Sequence, residues 1–573
     1  MFVGKGDAID PWGATKPQHF SCERSFSFFR LVEAISREAP SAEWVLHRLA
    51  NLLRKFERQH PKCRLSCRLD RAPTGLPIFE LEDKQLSRVL KRPVKSECLI
   101  LSFFAAAVLD EKAFRDVPDD QLLIHCLVKR IGGLTDPSGN VYEAFVRPQL
   151  LLNNFLNGVR EHSVQIGGRR FRMQAVYFSQ QNGRSAKCAQ SAMSMALRAM
   201  GLRLRDGSEP TPAEINKLVP VALGRGLKLH EMVRVFRDVG LSPLAVDFTK
   251  TQAIGVDYRS LVHAGVESGV PVLLCFVTRG RQSRKLETHV VTIFGHTLNT
   301  DTWVAEAEFG YGVAADYKYH ASLHWCTHWI ISDDNLGVFF CLQANRLTSV
   351  WDVFALQPSS DSCGQRLRDW ILRLPRRRYV AGQLREFNVA AVVVPLPKAS
   401  NVDIRSAEIK TLGHLQHFAE ELRALMPEGT FTEAWWIERL VRRLTAGHPG
   451  PGPILRTRQI GRDAYIAHLR PPGGADWEQR CLQPGLITRL EKELPELFWM
   501  TEYTLVDLFT ANRRKLGEVL WQPRWSQARD MSKGLLLTRF PGLLKIHPCN
   551  SCIPTGCWSH VPMLSTAMQG DQF

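Results

Sequence analysis

The chain has 573 residues, 45% of them hydrophobic and 23% charged, which is the balance of a folded multidomain protein and excludes a disordered or low-complexity one. Its formal net charge of +17 draws on 74 basic residues spread along the sequence in short groups such as Arg376–Arg378 and Arg442–Arg443. No nucleic-acid-binding motif accompanies them, so a solvated basic surface is preferred to a dedicated DNA or RNA site.

From its N-terminus the sequence carries acids and a proline where a secretory signal needs an apolar run, and its longest apolar stretch, Cys98 to Leu109, is about half of the ~20 residues that span a bilayer. A cytoplasmic protein without a transmembrane segment is expected, with its 14 cysteines reduced. Residues 1–165 read as a helix-rich mixed domain. Ser41 to His60 has a Ser cap, apolar residues at helical spacing and a basic end, and predicts one amphipathic helix. Ser96 to Val108 predicts a second, buried helix. The Pro-Ser-Gly-Asn turn at 137–140 predicts a strand after it.

The pattern changes over residues 166–358. FRMQAVYF alternates as a strand, QQNGRSAK is a polar loop, and CAQSAMSMALRAMG sets Ala189, Ala192, Met193, Ala196 and Met200 on one helical face before a Gly201 stop. SGVPVLLCFV, THVVTIFGH and WIISDDNLGVFFCL predict strands, the last broken by a turn at Asp333–Gly337. A Ser/Gln/Pro-rich linker marks a boundary near Ser359. Residues 359–548 predict a C-terminal mixed α/β domain with a strand at VAAVVVPLP and helices at Ala407–Met426 and Glu433–Thr445. Residues 549–573 predict a tail of little pattern.

A cysteine becomes a nucleophile where its thiolate is stabilised, and Cys188 sits where a polar loop enters a helix N-terminus, with free N–H groups and the positive end of the dipole. An amide donor just upstream, Gln180 or Gln181, suits an oxyanion, together with the Cys188 backbone N–H. His289, opening the strand after Gly-Val-Pro-Val, is the candidate base. Asp333, at the end of WIIS, is the candidate orienting acid, with Glu306 and Asp334 as alternates.

Loop glutamine, Cys-Ala-x-x-Ala, Gly-x-Pro-Val, His-x-Val and strand-Asp occur here in one order. That order resembles the papain-like peptidases that process double-glycine leader peptides and the wider group of bacterial domains similar to them. The resemblance spans Phe171 to Leu342, under a third of the chain, and includes no transporter segment. It implies an α+β fold with the cysteine helix packed on an antiparallel sheet, Gln181 as oxyanion donor, Cys188 as nucleophile, His289 as base and Asp333 as its partner. The implied activity is a cysteine peptidase cleaving a peptide or isopeptide bond of a peptide or protein substrate, without cofactor or metal. Ala189 stands where the family usually has glycine, Asp334 where it usually has proline, and His296 to Trp325 is an extra segment. An inactive peptide-binding scaffold and an acyl-transferring, transglutaminase- or deamidase-like enzyme are the alternatives.

At the C-terminus Cys549, Cys552, Cys557 and His560 are zinc-type ligands, but only four residues separate the first pair from the third, closer than structural zinc sites usually allow. No metal is therefore expected there. Oligomeric state is not legible.

Overall fold

In the computed structural model the described residues are 10–22, 26–131, 138–151, 154–182, 188–219, 226–250, 253, 256–279, 286–297, 311–314, 317–321, 323, 326–349, 386–397, 407–415, 417, 453–469, 484–504, 517–522, 534–540, 543–547 and 558–560. Helices and antiparallel sheets share the chain, an α+β fold. They group into two compact units. The first takes residues 1–258, 270–295 and 328–395, and the second takes 259–269, 296–327 and 396–573.

The first unit holds two sheets. Strands β1 (Gln18–Cys22), β2 (Leu65–Ala72), β3 (Ser96–Phe104), β4 (Leu122–Ile131), β5 (Gly139–Val146), β6 (Asn154–Leu156), β7 (Arg160–Ile166) and β8 (Arg169–Phe178) come first in the chain. All but β6 form one antiparallel sheet in the order β1-β2-β3-β4-β5-β8-β7. The apolar run after Ser96 is therefore a strand and not the expected helix: β3 lies between β2 and β4, and its core side chains leave no amphipathic alternation to betray the period. Helices α1 (Phe26–Ser36) and α2 (Glu43–Gln59) contribute Leu31, Ile35, Leu49 and Leu53 to the same core. The predicted amphipathic helix is α2, but Ala42, without a side-chain bond, occupies its N-cap, and Ser41 instead offers its carbonyl to Gln180. Helices α3 (Glu80–Leu90) and α4 (Glu111–Asp116) connect strands of this sheet.

Then come α5 (Cys188–Ala199), α6 (Pro212–Leu218), α7 (Leu229–Asp238), β9 (Leu244–Asp247), α8 (Tyr258–Glu267), β10 (Val272–Arg279) and β11 (Leu286–Thr297). β12 (Tyr311–Ala314) and β13 (Tyr317–Ala321) belong to the second unit, and β14 (His328–Asp333), β15 (Gly337–Gln343) and β16 (Val389–Val394) return to the first. The second sheet runs β15-β14-β11-β10-β16-β9, with β6 also paired to β11. A Cβ on Gly295 would lie 2.0 Å from the Phe155 carbonyl oxygen, so only glycine lets β6 approach β11.

Both expected boundaries of a central domain are corrected. Residue 165 falls inside β7, whose partner β8 also pairs with β5, so one sheet crosses the boundary. The VAAVVV strand assigned to a C-terminal domain is β16, held between β10 and β9. Conversely, the extra segment between the histidine and aspartate strands lies in the second unit, where β13 pairs with β17 (Ile454–Gly461).

The second unit's sheet continues through β18 (Leu497–Thr504), β19 (Gly517–Trp521), β20 (Leu535–Phe540), β21 (Leu543–Ile546) and β22 (Trp558–His560). Helices α9 (Arg462–Leu469) and α10 (Pro484–Glu493) bury Tyr465, Leu469 and Leu490 against Phe498, Met500 and Leu520. Of the helix expected at Ala407–Met426, residues 407–415 are helical. The one expected at Glu433–Thr445 lies outside the described residues, as do Cys549, Cys552 and Cys557. Among the described residues no helix is long and apolar enough to cross a membrane.

Candidate active site

The cysteine helix is buried nearly all round. Ala189, Ala192, Met193, Ala196 and Leu197 pack with Leu273, Cys275, Val290, Ala391 and Val393 from β10, β11 and β16, while Met195 and Ala199 join the core of the first sheet with Phe178 and Phe294. Alanines permit this close approach on two sides. Thr292 Oγ1 on β11 donates to the Ala192 carbonyl at 3.0 Å and ties the helix to the histidine strand. Gly201, at φ +70°, donates its N–H to the Arg198 carbonyl and ends the helical run in the left-handed conformation.

Cys188, the first residue of α5, is half-buried and free of any disulfide. His289 stands on β11 opposite Phe276 of β10, whose ring meets the imidazole edge-on at 5.8 Å. The imidazole Nε2 lies 3.1 Å from Asp333 Oδ2, and the Cys188 side chain is near enough to act on the charge of the ring.

Asp333 ends β14, and its other oxygen, Oδ1, accepts the backbone N–H groups of Asn335 at 2.8 Å and Leu336 at 3.3 Å. The turn therefore fixes the carboxylate before the histidine uses it. Burial works to raise the Asp333 carboxyl, but the His289 hydrogen bond and charge and these two N–H groups hold it below the ordinary range. Burial likewise works against a charged His289. The Asp333 hydrogen bond, the neighbouring Cys188 side chain and the nearby carboxylates prevail and hold its proton well above the ordinary imidazole range. The arrangement favours a charged imidazolium near the N-terminal end of α5, where Cys188 stands.

Asp334 flanks the same imidazole, its Oδ1 3.7 Å from His289 Nε2. Its side chain is 1% exposed, and its Oδ2 has no hydrogen-bond partner among the described residues. Burial, helped by the adjacent Asp333 charge against the pull of His289, pushes its carboxyl up to about 7. Glu306, the other alternate acid, lies outside the described residues.

The two glutamines separate cleanly. Gln180 continues the β8–β5 pairing: its N–H reaches the Val141 carbonyl, its Oε1 accepts from Val141 N at 2.8 Å, and its Nε2 donates to the Ser41 carbonyl. Gln180 is thus a structural residue of the sheet and not the oxyanion alternate. Gln181 Nε2 donates to Asn335 Oδ1 at 2.9 Å, which sets its amide beside the turn that carries Asp333. The rest of the polar loop, 183–187, lies outside the described residues.

Two further residues support the site: Arg48, to which no sequence signal pointed, and Gly337, the glycine of the expected turn. Arg48 on α2 donates from Nε to the Val338 carbonyl at 3.0 Å and from Nη2 to the Phe339 carbonyl, gripping β15 just after the Asp333 turn. Gly337, at φ +114°, closes that turn, and a Cβ there would lie 3.2 Å from Arg48 Cβ. The signal was out of reach because Arg48 and Val338 are 290 residues apart. No protein-family model matches the chain, and no curated protein sequence matches it.

Proposed function

We propose that the chain is a papain-like cysteine peptidase, a thiol hydrolase acting on a peptide or isopeptide bond, with Cys188 as nucleophile and His289 and Asp333 as its proton relay. The observation that carries this reading is the His289 imidazole, which has a carboxylate 3.1 Å from its Nε2 and the Cys188 thiol at the start of α5 among the groups acting on its charge. In the proposed cycle the Cys188 sulfur attacks the carbonyl carbon, and the proton held by His289 passes to the leaving amine. Water, deprotonated by His289, then cleaves the thioester and restores the thiol. The Cys188 backbone N–H and the Gln181 amide are assigned to the oxyanion, Gln181 on its motif position and on its place beside the Asp333 turn. Asp333 holds the ring's orientation and tautomer.

The test uses a peptidyl epoxide, an electrophile that needs an activated thiol and an acid to open the ring. Peptide mapping is expected to find the adduct on Cys188 in the wild-type chain, with the rate reduced roughly 100-fold or more in His289→Ala. An adduct that forms equally fast in His289→Ala, or that falls on the exposed Cys341 in preference to Cys188, overturns the reading.

A further inference from the structure

A second cluster of chemistry-bearing side chains lies in the second unit and plays no part in the proposed hydrolysis. His263 and Glu267 are one helical turn apart on α8, so both project from one face. His296 comes from the end of β11. All three are buried, and the ligand-type atoms they offer lie within 4.8 Å of one another.

The hydrogen bonding of His296 does not close with a neutral ring. Its Nδ1 is 2.9 Å from the Thr297 carbonyl oxygen, which can only accept, so Nδ1 carries a hydrogen. Its Nε2 is 2.7 Å from Glu267 Oε1, a carboxylate oxygen that also only accepts. A neutral imidazole has one N–H and cannot serve both. Either the buried ring carries a second proton, or Nε2 and Oε1 are both donors to a cation, whose entry would part them from 2.7 Å to the ~3.3 Å of a tetrahedral ion.

Three features favour the cation. His263 Nε2 is directed at the same oxygen from 3.8 Å, too long for a hydrogen bond but close to the ~3.3 Å that separates two donors of one tetrahedral ion bound at about 2.0 Å. Arg456 grips the other carboxylate oxygen, Oε2, from Nε at 3.1 Å and Nη2 at 3.0 Å, which orients Glu267 and leaves Oε1 to face the two rings. The Nδ1–H bond to a backbone carbonyl is the outer contact that fixes a metal-binding histidine in the tautomer with a lone pair on Nε2.

We propose that His263, Glu267 and His296 form a site for a divalent transition-metal ion, zinc in the first instance, bound through the two Nε2 atoms and Oε1. Two imidazoles and one carboxylate suit zinc's preference for nitrogen and oxygen donors, and three protein donors leave one position of a tetrahedral ion to water. Arg456, bonded to Oε2, stays outside the coordination sphere as the residue that positions the carboxylate.

The experiment measures metal in the full chain purified without chelator and dialysed against zinc, then against buffer. About one zinc per chain is expected in the wild type, and below about 0.2 in His263→Ala and in His296→Ala. Cys552→Ser and Cys188→Ala are expected to keep the metal, which separates this site from the C-terminal cysteines and from the candidate active site. Cobalt exchanged into the wild-type chain supplies a readout that needs no variant: the visible bands of a tetrahedral nitrogen–oxygen site, without the intense thiolate-to-cobalt band. A wild-type chain that keeps less than about 0.2 zinc overturns the proposal. Metal that is lost with Cys552→Ser but not with His296→Ala, or a thiolate band in the cobalt spectrum, overturns it equally.

Discussion

A thiol and two carboxylates act on His289, and the three neighbours place different demands on its proton. Asp333 meets the ring at hydrogen-bond distance and is itself anchored by two backbone N–H groups, so it is the acid that fixes the imidazole. Asp333→Ala is expected to lower epoxide labelling of Cys188 by roughly 10²- to 10⁴-fold with the fold intact, measured beside circular dichroism. Asp334 behaves differently. Its folded carboxyl titrates at about 7, far above its unfolded value, so the folded state binds a proton there that the unfolded state has already lost. Its contribution to stability is complete below the ordinary carboxyl range and is lost as pH rises through about 7. Asp334→Asn keeps the neutral shape at every pH. Its melting temperature is expected to match wild type near pH 4 and to exceed it by several degrees near pH 8, with a pH-independent difference ruling the account out.

At the scale of elements, the pieces that bear the chemistry are clamped to one another by small residues and backbone contacts. Gly295→Ala drives a Cβ into the Phe155 carbonyl and must part β6 from β11; a loss of about 2–4 kcal/mol in urea unfolding is expected, and a loss under about 0.5 kcal/mol would contradict this packing. The elements around the site were legible because each has a period or a stop that one face dictates. Gly201 ended the cysteine helix where expected, and Gly337 and the Asp333 turn split β14 from β15. The helix predicted after Ser96 failed for a physical reason. A central strand buried on both faces loses its two-residue alternation, and a short apolar run then reads equally well as a helix. The choice between Gln180 and Gln181 was likewise closed to the sequence, because it depends on which side chain pairs with β5 across the sheet.

On the scale of the whole molecule, the expected central domain has no independent edge. The first sheet runs from β1 to β8, and Phe171, Met173, Ala175 and Val176 of β8 are buried in a core shared with α1 and α2. A chain lacking residues 1–165 exposes that surface and loses Arg48, so it is expected to bind a hydrophobic dye and to melt without a cooperative transition. Cooperative unfolding of the truncated chain would contradict the single first unit. Domain boundaries escaped the sequence because strand order in a sheet is not chain order: β16 pairs with β10 across more than a hundred residues of intervening chain, and the segment after His296 enters the second unit. Local composition carries no mark of either excursion.

Activation of the Cys188 thiol by His289 is to be read from the alkylation of Cys188 by iodoacetamide as a function of pH. The wild-type rate is expected to fall less than about tenfold between pH 8.5 and pH 6, while His289→Ala follows an ordinary thiol and falls more than about 100-fold. A wild-type profile that coincides with that of His289→Ala would contradict the claim.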